Sequence, residues 1–145
     1  MPSTPYGTIT LLTELSKEED VVFAIEKVHS MPKQGVASTF TFGMNYGMLL
    51  GIIMTLDKPI EHINPAEWEK HFKISGKHNA KESRDKSIMV LNDKCPETRY
   101  IKYHSGIFDA ILIALFNSER NANDNSRKEY AENNNRTNKN TGSFS

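Results

Sequence analysis

The sequence predicts an α/β domain, and three observations carry that expectation. Val21 to Ile25 is a continuous β-branched and apolar run, which marks a buried strand. Ser38 opens a long apolar segment that reads as a helix to about Leu56. Pro59 to Ile63 then reads as a second strand, so strands alternate with helices and parallel pairing is expected. The other elements fall between these. Ile9 to Leu15 is a short helix, and Lys33 to Ala37 is a loop in which Gly35 supplies freedom. Asn64-Pro65 starts a helix, with Asn as the cap and Pro at the first helical position, and Glu67 to Phe72 continues it. Ala80 to Leu91 is a basic helix, followed by Cys95-Pro96. Phe108 to Phe116 is an apolar helix.

The chain has 145 residues, of which 37% are hydrophobic and 25% charged. That length suits one domain. The composition changes at Asn121, where NANDNSRKEYAENNNRTNKNTGSFS begins. So few aliphatic residues cannot offset the entropy of ordering a chain. Residues 1–120 are therefore expected to form the domain and 121–145 a disordered Asn-rich tail. The single cysteine, Cys95, excludes an internal disulfide framework and fits a reducing compartment. No apolar run reaches the ~20 residues of a bilayer span, and the first residues lack the pattern of a signal peptide. A cytoplasmic protein with no membrane partner is the expectation.

Formal net charge is zero, yet the charge is uneven. Residues 1–69 hold 4 basic and 9 acidic side chains, a balance of −5; residues 70–102 hold 9 basic and 4 acidic, a balance of +5. A polyanionic partner would explain the basic half, and a solvated helix face would explain it equally. Within the long helix, Gly43, Gly47 and Gly51 recur every four residues and share one face, which suggests tight packing against a neighbour. Met44, Met48 and Ile52 form a second stripe, read as core.

Two carboxylates stand where chemistry is expected. Glu26 follows the strand Val21–Ile25, and the carboxyl ends of parallel strands are where α/β sheets bind ligands. Asp109 stands near the start of the last apolar helix, where the helix dipole favours an anion. The plain alternatives are a solvated strand end and a helix cap. Together the two suggest a carboxylate-held Mg²⁺ site, because Mg²⁺ takes hard oxygen ligands and suits phosphoryl transfer.

The segment IEKVHSMPKQGVASTFTFGMNYGMLLGI, from Ile25 to Ile52, resembles the RuvC-like Holliday junction resolvases, especially the compact phage and prophage forms. PIEHINPAEWEKHF (Pro59–Phe72), GKHNAKESR (Gly76–Arg84) and YHSGIFDAILIALF (Tyr103–Phe116) resemble the family's following strand and helix, its basic helix and its closing motif. The likeness covers roughly residues 1–116. It implies a ribonuclease H-like mixed sheet flanked by helices, working as a homodimer on branched DNA. Two Mg²⁺ ions would be held by four acidic or metal-associated positions and would activate water against a phosphodiester. Glu26 matches the second acidic position and Asp109 the last. His104 matches the histidine of the closing motif. Phe40 or Phe42 falls where the family contacts the junction, although core packing is the competing expectation for both. Lys77, Lys81, Arg84 and Lys102 would meet phosphates. The Gly43–Gly47–Gly51 face is a candidate for the dimer interface.

Two departures bear on activity. The family begins with a strand carrying an Asp, a Gly turn and two further strands. This chain resembles the stretch after them, so the domain is expected to be N-terminally truncated by about 40 residues. Ser105 stands where the closing motif carries Asp, and serine brings no charge to a metal. Two of four acidic positions remain.

His62, His71 and His78 lack the paired spacing of a structural zinc site, Cys95 has no base partner in sequence, and no Gly-rich phosphate loop is present. Three expectations follow. The chain is a Mg²⁺-dependent junction endonuclease, weak or inactive alone. Alternatively it is a non-catalytic nucleic-acid-binding remnant, or a truncated product without activity.

Overall fold

The computed structural model describes residues 4–28, 35–74 and 79–141, with side chains in the last stretch as far as Glu129. The chain is mixed α/β and mostly helical. It divides into two compact units, Met1–Pro65 and Ala66–Ser145.

In the first unit, α1 spans Pro5–Leu15, β1 Phe23–Glu26, α2 Val36–Met54 and β2 Ile60–Ile63. α1 begins earlier than its apolar pattern suggests because Thr4 caps it. The Thr4 Oγ1 accepts from the Gly7 amide at 3.2 Å, and Pro5 takes the first helical position. β1 and β2 pair in parallel, as the alternation of elements predicts, with Phe23 opposite Ile60 and Glu26 opposite Ile63. The Phe23 amide donates to the Pro59 carbonyl at 2.9 Å, and the Lys27 amide to that of Ile63 at 2.7 Å. Each strand is entered from an aspartate with positive φ, Asp20 (52°) and Asp57 (51°). Asp tolerates this left-handed conformation better than most residues.

β1 is not buried throughout, as its apolar run predicts: only Ile25 is. The reason is that the sheet has two strands among the described residues, so little covers it. α2 departs further from expectation. It touches α1, but within it only Ile53 is buried. Met44 is 58% exposed, Met48 is exposed and Ile52 half-buried, so that stripe is not core. Phe40 (67%) and Phe42 are exposed as well. A Cβ placed on Gly43, Gly47 or Gly51 would meet nothing within 4 Å, so these glycines do not serve tight packing here. No charged residue occurs from Gln34 to Leu56. By length and composition alone α2 passes the test for a bilayer-crossing helix, contrary to the reading of the run as too short. The core helix of a soluble protein is similar in length and composition but mostly buried, whereas α2 is mostly exposed.

In the second unit, α3 (Pro65–His71) starts at its proline, directly after Asn64, as predicted. α4 (Ala80–Lys94) starts behind Asn79, whose Oδ1 accepts from the Glu82 amide at 2.9 Å. A 3-10 helix, Pro96–Tyr100, follows Cys95. α5 runs from Ser105 to Thr141. α4 packs against α5 and against the 3-10 helix. α5 buries Phe108, Leu112, Ile113, Phe116 and Asn117, a spacing that keeps them on one face. Leu91 of α4 and Leu112 of α5 are fully buried. α5 runs on through Asn121, where the composition changes. No Pro or Gly lies between Gly106 and Gly142 to stop it. Residues 122–129 are exposed, so that stretch rests on the helix's own hydrogen bonds.

α3 ends in a Schellman turn. The Ile74 amide donates to the Glu69 carbonyl at 2.8 Å and the Lys73 amide to that of Lys70 at 3.1 Å. Lys73 therefore sits at φ 57°, a position that glycine occupies without strain. Lys73→Gly is expected to raise stability by several tenths to about 1 kcal/mol, the strain relief being partly offset by a freer unfolded chain. A higher thermal midpoint by circular dichroism checks this; a lower one means that the turn is not strained.

Candidate nucleic-acid interface

Glu26 is the last residue of β1 and is half-buried, at the carboxyl end of the parallel pair. Its position is the one that the strand pattern predicts. Asp109 is half-buried in α5. Because α5 begins at Ser105, no acidic residue lies in its first turn. Asp109 is therefore not the helix-start anion that the apolar pattern suggests, since the helix extends N-terminally past the aliphatic run. The carbonyl of His104 accepts from the amides of Ile107 and Phe108, both at 3.0 Å, so His104 is the residue that leads into α5. Its ring is exposed and lies 3.6 Å from where a Gly106 Cβ would stand.

Glu26 belongs to the first unit, whereas Asp109 and His104 belong to the second. Among the described residues no three or more His, Cys, Asp or Glu side chains gather as a metal-holding group. Ser105 adds no charge. These donors do not fit a two-ion centre, which needs carboxylates bridging ions ~4 Å apart.

The phosphate candidates lie in the second unit. Lys81 and Arg84 are exposed on α4, and Lys102 is exposed in the connection to α5. Lys77 lies outside the described residues. The Arg84 guanidinium sits 4.7 Å above the Tyr103 ring, which itself packs at 4.9 Å on Phe108. This stack orients a cation beside the 100–104 segment. Lys86 donates to the Lys73 carbonyl at 3.4 Å. Phe40, in the first unit, is exposed on α2 and shares no unit with these cations.

A charged cluster in the second unit was not anticipated. Glu119 on α5 accepts from Lys94 Nζ of α4 at 2.6 Å through Oε1, and its Oε2 lies 2.6 Å from His71 Nε2 of α3. The His71 ring packs edge-on against Phe72 and Phe116, at 4.7 and 5.2 Å. Nearby, Arg120 Nη2 donates to the buried Asn117 Oδ1 at 2.8 Å, and its Nη1 lies 3.9 Å from Glu67 Oε2. One carboxylate thus ties three helices. The sequence carried a signal for it: Leu112, Phe116 and Glu119 fall at i, i+4 and i+7, on one face.

The chain matches no known family model and no curated protein.

The hydrogen bond from Lys94, then that of His71, holds the Glu119 carboxyl below the usual carboxylate range. A carboxylate with a depressed folded pKa stabilises above its unfolded value, and that contribution is lost as pH falls through the folded value. Glu119→Gln should therefore lower the thermal midpoint at neutral pH by roughly 4 °C or less. These side chains are about a third exposed, and such pairs contribute at most about 1 kcal/mol. The difference from the parent should vanish in strong acid. A gap that is unchanged from neutral to acid pH would mean that the pairing does not carry it.

Proposed function

We propose that the chain is a DNA-binding α/β domain related to the RuvC-like resolvases, with a ribonuclease H-like ancestry, and that alone it cleaves branched DNA weakly or not at all. The observation that carries this reading is Glu26 at the carboxyl end of a parallel strand pair, the place where such sheets bind ligands. The exposed cations Lys81, Arg84 and Lys102 support it as phosphate contacts. A polyanion neutralised by such side chains releases counterions, so binding should weaken steeply with salt. Lys77 completes the proposed set. Phe40 would stack on unpaired bases, its exposure removing the competing core role. A homodimer would place two such domains on the arms of one junction.

The resemblance assigns Mg²⁺ to Glu26 and Asp109, with His104 near Asp109 in sequence. In the family, Mg²⁺ supplies activated water and neutralises charge on the phosphodiester. Since two carboxylates do not make the two-ion centre, no cleavage step is assigned to these residues. The donor set itself, two carboxylates with Ser105 in place of an acidic residue, supports the second reading, binding without cleavage.

A four-way junction titrated with the purified chain, with Mg²⁺ present or withheld, separates these readings. The expected result is salt-sensitive binding with little or no cutting. Symmetric Mg²⁺-dependent cuts, abolished by Glu26→Ala or Asp109→Ala, would establish a working nuclease and overturn the inactivity. Absence of binding would overturn the proposal.

A further inference from the structure

The segment Arg99-Tyr100-Ile101-Lys102-Tyr103 pairs each of two cations with an aromatic ring, and the first of the two rings is almost wholly in solvent. Tyr100 is 93% exposed. An aromatic side chain ordinarily hides 150–250 Å² of surface. Its neighbour Tyr103 does so conventionally, with Phe108 on it and Arg84 over it.

Tyr100 is exposed on a short element whose backbone is pinned. Thr98 is buried, and both its amide and its Oγ1 donate to the Cys95 carbonyl, at 2.9 and 2.7 Å. The Ile101 amide closes the turn on Thr98 at 3.0 Å. Arg99 Nη2 donates to the Asn92 carbonyl of α4 at 3.0 Å, anchoring the 3-10 helix to that helix. One of the five guanidinium N–H groups is spent there, and the group keeps its charge. A ring presented on such a base loses little entropy when a flat ligand covers it. Charge selects that ligand. Arg99, Lys102 and Arg84 surround the segment in sequence or by contact, against Glu97 on the same 3-10 helix and Asp93 on α4.

We propose that Tyr100 is a stacking platform for an unpaired base of single-stranded DNA, with Arg99 and Lys102 holding the adjoining phosphates. This rests on the DNA-binding reading above and adds to it a specific contact and a preference for unpaired strand. Stacking on an aromatic ring is sequence-tolerant, because every base has a π-face. The cations set affinity through salt-dependent phosphate contacts.

The test compares two labelled strands of equal length, oligothymidylate and a base-free abasic strand with the same phosphates. The parent chain is expected to bind oligothymidylate about tenfold more tightly. Tyr100→Ala should erase that preference and Tyr100→Phe should keep it. Lys102→Ala should weaken both strands alike and flatten the salt dependence. Equal binding of both strands by the parent, or a preference untouched by Tyr100→Ala, overturns the proposal while leaving DNA binding in place. Binding of neither strand overturns both readings, and leaves an acidic protein surface as the partner that the cations fit. A Tyr100-dependent preference, with four-way junctions bound no better than single strands, sustains the platform and overturns the junction reading alone. Because Tyr100 buries almost nothing, its replacement should leave the circular dichroism melt unchanged.

Discussion

Two parallel strands cannot be joined by a tight turn, and the first unit is organised by that constraint. β1 ends at Glu26, and the chain must return along the sheet before β2 can start in the same direction. α2 makes the return. Its 19 residues rise about 28 Å, more than the length of a four-residue strand. Ile53, near its C-terminus, is buried while most of the helix is not. The same constraint sets Glu26 at a strand end beside Ile63, where β2 also finishes.

The second unit is held differently. There, apolar burial between α4 and α5 does most of the work, with Leu91 and Leu112 fully enclosed. Glu119 then adds direction. A hydrophobic face tolerates sliding, whereas a carboxylate shared between Lys94 and His71 fixes α3 and α4 in register against α5. Each charged contact is partly solvated, so its contribution is to alignment more than to total stability. Lys94 gains from the same contact, since its hydrogen bond to Glu119 raises its pKa.

What was legible in the sequence follows from the range of the forces involved. Local signals were read well: the Asn64-Pro65 helix start, both strands and the parallel pairing that their alternation implies. Glu26 fell where the strand pattern put it. The misjudged features depend on what lies opposite. The Gly43–Gly47–Gly51 face, the Met44–Met48–Ile52 stripe and Phe40 all carry a core-like pattern, yet burial needs a partner surface that a pattern cannot supply. The start of α5 differs from its apolar pattern for the opposite reason. Ser105 and Gly106 are poor helix formers taken alone, but His104 offers its carbonyl and α5 begins one turn early. The role of Glu119 is tertiary, and its spacing from Phe116 is the one mark of it in the sequence. Tyr100 lies in a segment with no apolar periodicity, where only alternation of charge and ring hinted at anything.

The apolar exposure of α2 has a thermodynamic consequence. A face that exists only in the folded chain couples folding to whatever occupies it. An occupant present at a hundred times its Kd adds about 2.7 kcal/mol to the folded state. That increment is comparable to the loss on truncating a buried leucine. Where such an occupant is present, stability becomes a property of the chain together with its surroundings.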